Sequence, residues 1–320
     1  MDIKNLLEKY KLIGFYKKVY KNWLEVVFSI IIKKKKIRLV LKDGSYIVTE
    51  DIALAKTIPF VFRFKDLDPN KLTFRDGILY YENKKCGKTY GEIIINLLLD
   101  GKVIDNIGII NFEGKELKFK LNSVNFLILE NFYLEQYKID KIDGEVLDIG
   151  ANIGDTAIYF ALKGAEKVYA YEPLPNVAKI AEENVKLNDL QDKVIIYNEA
   201  IGAEDGYILV PEQYDIYSSG GYIVNNKGNI KIPVVSIETA IKRMKNPYLL
   251  KIDCEGCEKD ILLKSDAWKI FKIIFVELHR NITKVDHKIF LKRLEEYGYT
   301  CEILSKISDE VVLYKCIKNK

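Results

Sequence analysis

From residue 145 onward, short unbroken apolar blocks alternate with stretches in which apolar residues recur every three or four positions, the pattern of strands alternating with amphipathic helices. Val146–Ile149, Lys167–Tyr171, Val194–Tyr197, Tyr248–Ile252 and Ile273–Glu277 predict strands. Asp155–Leu162, Val177–Leu187, Ile237–Arg243, Glu258–Leu263 and His287–Tyr297 predict helices. Such alternation specifies a parallel sheet with helices on both faces. Two final blocks, Cys301–Leu304 and Val311–Cys316, are separated only by a turn and must pair antiparallel. The expected fold class is therefore α/β: a Rossmann-like sheet ending in a C-terminal antiparallel hairpin. Glu204–Pro233, with Ser219-Gly220-Gly221 and Asn225-Asn226-Lys227-Gly228, reads as an insertion with hairpin-like turns after the third strand.

The first part of the chain is patterned differently. Residues 1–32 carry Leu6, Leu7, Tyr10, Ile13, Tyr16, Val19, Tyr20, Trp23, Val27 and Ile31 at helical spacing and lysines elsewhere, which predicts one amphipathic helix. Ile37 to Leu121 holds short β-like runs broken by Asp43-Gly44, Asp76-Gly77, Asp100-Gly101 and Glu113-Gly114, which predicts hairpins. Asn122–Tyr137 then reads as a helix capped by Asn122 or Ser123. The expected division is a helix plus β-rich accessory region over 1–121 and a larger domain over 122–320.

Charge sharpens this division. The first 36 residues hold ten Lys against Asp2, Glu8 and Glu25, while the whole chain is at +4, so the body is mildly acidic. A general nucleic-acid surface is not indicated. The basic helix beside Lys33–Lys36 could lie on an anionic membrane, although a helix docked on its own domain is the plainer expectation. Val26–Ile32, the longest uncharged apolar run near the start, is too short to span a bilayer, and no signal-peptide layout is present. The expected location is cytoplasmic. Five Cys, an odd number, fit reduced thiols better than a disulfide framework, and Cys254-x-x-Cys257 lacks two further ligands for a structural zinc.

The candidate chemistry sits at the carboxyl ends of the predicted strands. Asp148-Ile149-Gly150-Ala151-Asn152-Ile153-Gly154-Asp155-Thr156 joins the first strand to a helix, and Gly150 and Gly154 let backbone approach a ligand closely. Glu172 ends the second strand, where an acid binds ribose hydroxyls, so a nucleoside-containing cofactor is expected. Asn152 replaces the glycine a dinucleotide pyrophosphate needs, and Asp148 suits an ammonium group. Together with the terminal hairpin these features favour S-adenosylmethionine over NAD.

The stretches VLDIGANIGDTAIYF (146–160), YAYEPLPNVAKIAEENVKLN (169–188), LLKIDCEGCEKDIL (249–262) and IIFVELH (273–279) resemble FkbM-family methyltransferases, in the family's order. The resemblance spans about Asn122 to Leu304. It implies the class I methyltransferase fold, S-adenosylmethionine as cofactor, and typically O-methylation of a sugar or other natural-product or cell-surface acceptor. Carried over residue by residue, Gly150, Asn152 and Gly154 form the cofactor loop, Thr156 caps the helix or meets the methionine carboxylate, Glu172 holds the ribose and Pro173 shapes the next turn. Asn198-Glu199-Ala200 falls where such enzymes meet adenine, through Glu199 or a backbone amide.

Asp253 ends the fourth strand, facing the transferable methyl. Without a proline-aromatic platform after it, flipped-base N-methylation is disfavoured and an oxygen acceptor is expected. A hydroxyl needs a base, and Asp253, Glu255, Glu277 and His279 are the candidates, with His279 or Asp253 taking the proton and Glu255 and Glu277 orienting the acceptor. Glu277 and His279, two apart on one strand, share a face. Glu255 and Glu258 could instead only cap the following helix. No metal is assigned, although an Asp, Glu and His together could bind a divalent cation. The competing readings are an RNA methyltransferase using Lys251, Asp253 and Glu277, an inactive cofactor-binding module, and a NAD-dependent oxidoreductase.

Overall fold

A computed structural model describes residues 13–124, 126–212 and 228–319. The predicted apolar positions Leu6, Leu7 and Tyr10 and the turns at Ser219–Gly221 and Asn225–Lys227 lie outside the described residues. The chain divides between Leu129 and Glu130 into two compact units, somewhat beyond the expected 121/122 boundary.

In the first unit the amphipathic segment is not one helix. Residues 13–19 and Trp23–Ile31 are helical, and the chain breaks between them. Tyr20 bridges to Leu41, and Asn22 donates to the Arg38 carbonyl and accepts from the Val40 amide, so tertiary bonds replace the helical ones. The expected hairpins are present at Ile37–Val40 with Tyr46–Thr49, Leu72–Arg75 with Ile78–Tyr81, and Ile107–Phe112 with Lys115–Lys120. Asp76-Gly77 and Glu113-Gly114 both adopt positive φ at their two positions, as tight hairpin turns require. The β-rich expectation needs one correction, because Ile52–Phe64 is a helix. The Asp51 side chain caps it by accepting from the Leu54 amide. Pro59 lies inside it and leaves the Ala55 carbonyl without its helical donor. The buried Tyr20 hydroxyl donates to that carbonyl at 3.1 Å.

The expected helix Asn122–Tyr137 is shorter, Phe126–Phe132, and a turn with Glu135 at φ 46° follows it. Tyr137 therefore leaves the helix and inserts its ring against Phe160 and Phe275.

The second unit carries a seven-stranded sheet: β1 (Glu145–Ile149), β2 (Val168–Tyr171), β3 (Val194–Tyr197), β4 (Pro247–Ile252), β5 (Ile273–His279), β6 (Tyr299–Lys306) and β7 (Val311–Lys318). Their order is β3-β2-β1-β4-β5-β7-β6, parallel through β5, with β7 antiparallel to both neighbours. The helices are α1 (Asp155–Leu162), α2 (Pro175–Leu187), α3 (Ile237–Ile241), α4 (Glu258–Lys264) and α5 (His287–Glu296), beside shorter turns. Phe275 stacks on Phe160 of α1, whereas its neighbours Ile274 and Val276 join the cluster containing Ile261 of α4 and Phe290 of α5. Adjacent strand residues point to opposite faces, so helices cover both sides as expected. This is the doubly wound sheet expected from the sequence, and the final hairpin pairs antiparallel. Strands 206–210 and 230–236 of the insertion pair antiparallel, with 200–202 alongside.

The reduced-thiol expectation is overturned. Cys254–Cys257 and Cys301–Cys316 are disulfides, leaving Cys86 as the buried free thiol. Cys301 and Cys316 face each other in the β6–β7 register, which brings their Cα atoms to 4.0 Å. The odd number of cysteines misled because the fifth lies in the other unit. Among the described residues no helix is long and apolar enough to cross a membrane.

Candidate active site

Parallel pairing delivers the ends of β1 to β5 to one edge, and the order reverses between β1 and β4, where open α/β sheets bind ligands. Gly150 follows β1 at φ 83°. A Cβ there would fall 1.8 Å from the Asp253 carbonyl, so only glycine lets this loop close against the one after β4. Gly154, at φ 82°, caps α1 through its backbone alone and rests against Ala181 of α2.

Glu172 leaves β2 buried. Its Oε2 accepts from the Asn152 amide at 3.0 Å and its Oε1 from the Leu174 amide at 2.9 Å. Burial pushes its carboxyl up to about 7 despite those amides. Asn152 itself holds φ 46°, and its buried Oδ1 has no donor among the described residues. Asn198 ties the β3 loop to the β2 loop by donating to the carbonyls of Glu172 and Pro173, both at 2.9 Å. The edge thus offers converging acceptors, the Asn152 oxygen and the remaining lone pairs of Glu172, to a ligand rich in donors. A ribose diol beside an ammonium group is such a ligand, so these residues fit S-adenosylmethionine.

Three expected cofactor contacts are otherwise engaged. Asp148 is wholly buried, its Oδ1 3.1 Å from the Lys251 ammonium, so its charge is answered from β4 and not left for a ligand's ammonium. Thr156 neither caps α1 nor points outward; its hydroxyl donates to Asp148 Oδ2 at 2.6 Å. Glu199 holds Arg243 through both oxygens, at 2.7 and 3.3 Å, and that guanidinium lies over the Tyr197 ring, itself stacked on Tyr171. With the Glu199 carboxylate so engaged, the segment Asn198-Glu199-Ala200 offers a ligand only its backbone, and Ala200 is buried at the start of strand 200–202.

Beyond β4 and β5 the expected acids do come together. The donor atoms of Asp253, Glu277 and His279 lie within 4.8 Å of one another. Nε2 of His279 is 3.6 Å from Glu277 Oε2, as their shared face predicts. Burial and the charge of Asp253 push the Glu277 carboxyl up to about 9. Burial pulls the His279 ring down, but its bond to Glu258 outweighs this and holds it at about 9. At neutral pH the ring is therefore an imidazolium, and Asp253 is the partly exposed member of the three. Glu255 stands in the same loop at φ 52°, half-buried.

Two members of this cluster were missed in the sequence. Glu258, read only as a helix cap, does accept from the Gly256 amide, but its Oε1 also grips His279 Nδ1 at 2.5 Å. Tyr137 donates its hydroxyl to Asp253 Oδ2 at 3.2 Å across 116 residues of sequence. Periodicity carries no signal for either contact.

The buried carboxyls also set a pH dependence. Glu130 is pushed up to about 7 by burial and the charge of Asp253, and Asp155 to about 6 by burial. A carboxyl raised on folding binds more protons in the native state, so its contribution is greatest below about pH 4.5 and is lost as pH rises to about 7. Without cofactor, melting temperature is expected to fall more steeply from pH 5 to 7.5 in the natural protein than in Glu172→Gln. The Glu172 part amounts to about 2 kcal/mol across that window, and parallel slopes would contradict it.

Residues 148–301 match the profile of the methyltransferase FkbM domain. Ribosomal protein L11 methyltransferase of Carboxydothermus hydrogenoformans is 45% identical over 51 residues, 16% of this chain and 17% of that protein, so the chain spans about a sixth of that relative. Methyltransferase 1 of Beauveria bassiana is 24% identical over 183 residues, covering 48% of this chain and 73% of its own. The crystal structure of methyltransferase FkbM from Methylobacillus flagellatus KT superposes with a TM-score of 0.42 at 15% identity, over 62% of this chain and 53% of that one.

Proposed function

We propose that this protein, whose residues 148–301 match the methyltransferase FkbM domain, transfers a methyl group from S-adenosylmethionine to a hydroxyl on a glycan or other small cell-surface or natural-product acceptor. The observation that carries this reading is the Asp253, Glu277 and His279 cluster beside the cofactor loop. The bound cofactor supplies a sulfonium methyl group. The acceptor oxygen then needs to lose its proton and lie in line with methyl carbon and sulfur. Asp253 takes that proton, steadied by Tyr137, while His279, fixed by Glu258, holds the acceptor oxygen by donating from Nε2. Lys251, the residue an RNA ribose-methylating array would need free, is 1% exposed and donates to the Gly150 carbonyl at 2.6 Å. That favours a glycan over RNA.

Radiolabelled S-adenosylmethionine offered with glycans, lipid-linked glycans, RNA and protein tests the reading, and label entering RNA alone would replace it. Asp253→Asn is expected to lower kcat at least 100-fold with S-adenosylhomocysteine affinity unchanged; unaltered kcat would remove Asp253 as the base.

The first unit supports a location for this acceptor. Leu24, Phe28, Ile31 and Ile32 are 66, 62, 70 and 53% exposed on or just after the helix Trp23–Ile31. Lys33–Lys36 follow, all exposed, and Glu25 is the single acid from residue 13 to 42. An apolar patch ringed by lysines suits an anionic lipid surface and would carry the enzyme to lipid-linked glycans. Co-sedimentation with phosphatidylglycerol vesicles is expected for the natural protein and lost in Phe28→Glu/Ile31→Glu. Equal binding by both would remove the patch from this role.

A further inference from the structure

We propose that Asp253, Glu277 and His279 form a binding site for one divalent cation, which receives the acceptor hydroxyl. The inference rests on the methyl-transfer reading above and names what activates the oxygen there.

Three separate observations carry it. The first is geometric: donors about 2.2 Å from a shared ion lie at most roughly 4.4 Å apart, and these three already fall within 4.8 Å. Small side-chain rotations close the difference. The second is an unanswered atom. Glu277 is 7% exposed, yet its Oε1 is buried with no hydrogen-bond partner among the described residues, beside a second carboxylate, Asp253. A buried carboxyl oxygen without a donor, close to a second acid, is one that a bound cation would satisfy. The third is the support behind the ring. Glu258, wholly buried, accepts a hydrogen bond from Nδ1 of His279 and is itself pinned by the Gly256 amide at 2.7 Å. That directs Nε2 to the two acids, and a carboxylate behind a histidine is the usual support of a metal-binding imidazole. Lys251 does not occupy the place, since its ammonium is 4.0 Å from Asp253 and is held by Asp148 and the Gly150 carbonyl.

One imidazole and two carboxylates suit a borderline-hard ion such as Mn2+ or Mg2+ and leave about three positions for water or acceptor oxygens. The ion takes the place of the Nε2 proton. The acceptor hydroxyl then binds the cation instead of that N–H. Its O–H proton passes to the second oxygen of Asp253 or to water, its lone pair forms the bond to the methyl carbon, and the S–CH3 bonding pair returns to sulfur.

The test uses the full chain after chelator treatment, with Mn2+ titrated and the free ion counted by electron paramagnetic resonance, and S-adenosylhomocysteine titrated in parallel by calorimetry. One Mn2+ per chain with micromolar affinity is expected, weakened at least 30-fold in both Glu277→Gln and Asp253→Asn while S-adenosylhomocysteine affinity stays within twofold. No Mn2+ binding up to millimolar concentration by a protein that binds S-adenosylhomocysteine overturns the cation site alone. Mn2+ binding that persists undiminished in both variants places the ion elsewhere and overturns it too. Binding of Mn2+, lost in the variants, by a protein that ignores S-adenosylhomocysteine would leave the site standing and sink the methyltransferase reading.

Discussion

Lys251→Met is expected to remove about 3–5 kcal/mol of stability, lowering the melting temperature by roughly 10 °C. Lys251 and Asp148 are 1% and 0% exposed and lie side by side on β4 and β1, in register. Deleting the ammonium leaves a fully buried carboxylate with Thr156 as its remaining side-chain donor among the described residues. It also strips the Gly150 carbonyl of its bond. The companion Asp148→Leu/Lys251→Met double variant removes both charges and should recover most of the loss, because an apolar pair avoids the desolvation cost. Urea titration of the single and double variants decides it. Equal destabilisation would mean that the pair does not act as a unit.

Glu172→Ala should weaken S-adenosylhomocysteine binding about 100-fold, on the order of 3 kcal/mol. The carboxylate orders the cofactor loop through the Asn152 amide and the next turn through the Leu174 amide, so its removal loosens two segments as well as the ribose contact. Ribose hydroxyls donate to the ionised form. With its pKa raised to about 7, affinity should therefore increase as pH rises from 6 to 8, opposite in sign to the stability of the ligand-free protein. Calorimetry at three pH values checks both effects, and undiminished binding by the alanine variant would take Glu172 out of the site.

Much of the second unit was legible because strands buried on both faces read as continuous apolar runs, and α1 and the final hairpin lie where the pattern set them. Ile52–Phe64 was hidden by Pro59. The carbonyl that proline frees is satisfied by Tyr20, 35 residues away, and no local pattern displays such a partner. The same distance effect limited the site. The positions of Glu172, Asp253, Glu277 and His279 at strand ends were legible from the pattern of apolar runs. The engagement of Asp148 by Lys251 was hidden because the two meet only once β4 has paired with β1, and Thr156 in turn bonds to Asp148. Glu258 shows a mixture: its helix-start position was legible, whereas its bond to His279 depends on how α4 packs beside β5.

The placement of β7 has a consequence for synthesis. This strand enters between β5 and β6, so a nascent chain that has emerged only as far as Lys306 presents β5 with an open hydrogen-bonding edge and β6 with no neighbour. Open edges of this kind recruit other strands. The delay before residues 307–318 appear, roughly a second or two at ordinary translation speeds, is when the growing polypeptide is most exposed to mispairing. His279 pairs with Val311, so the strand that carries it is flanked on both sides only once β7 has joined the sheet.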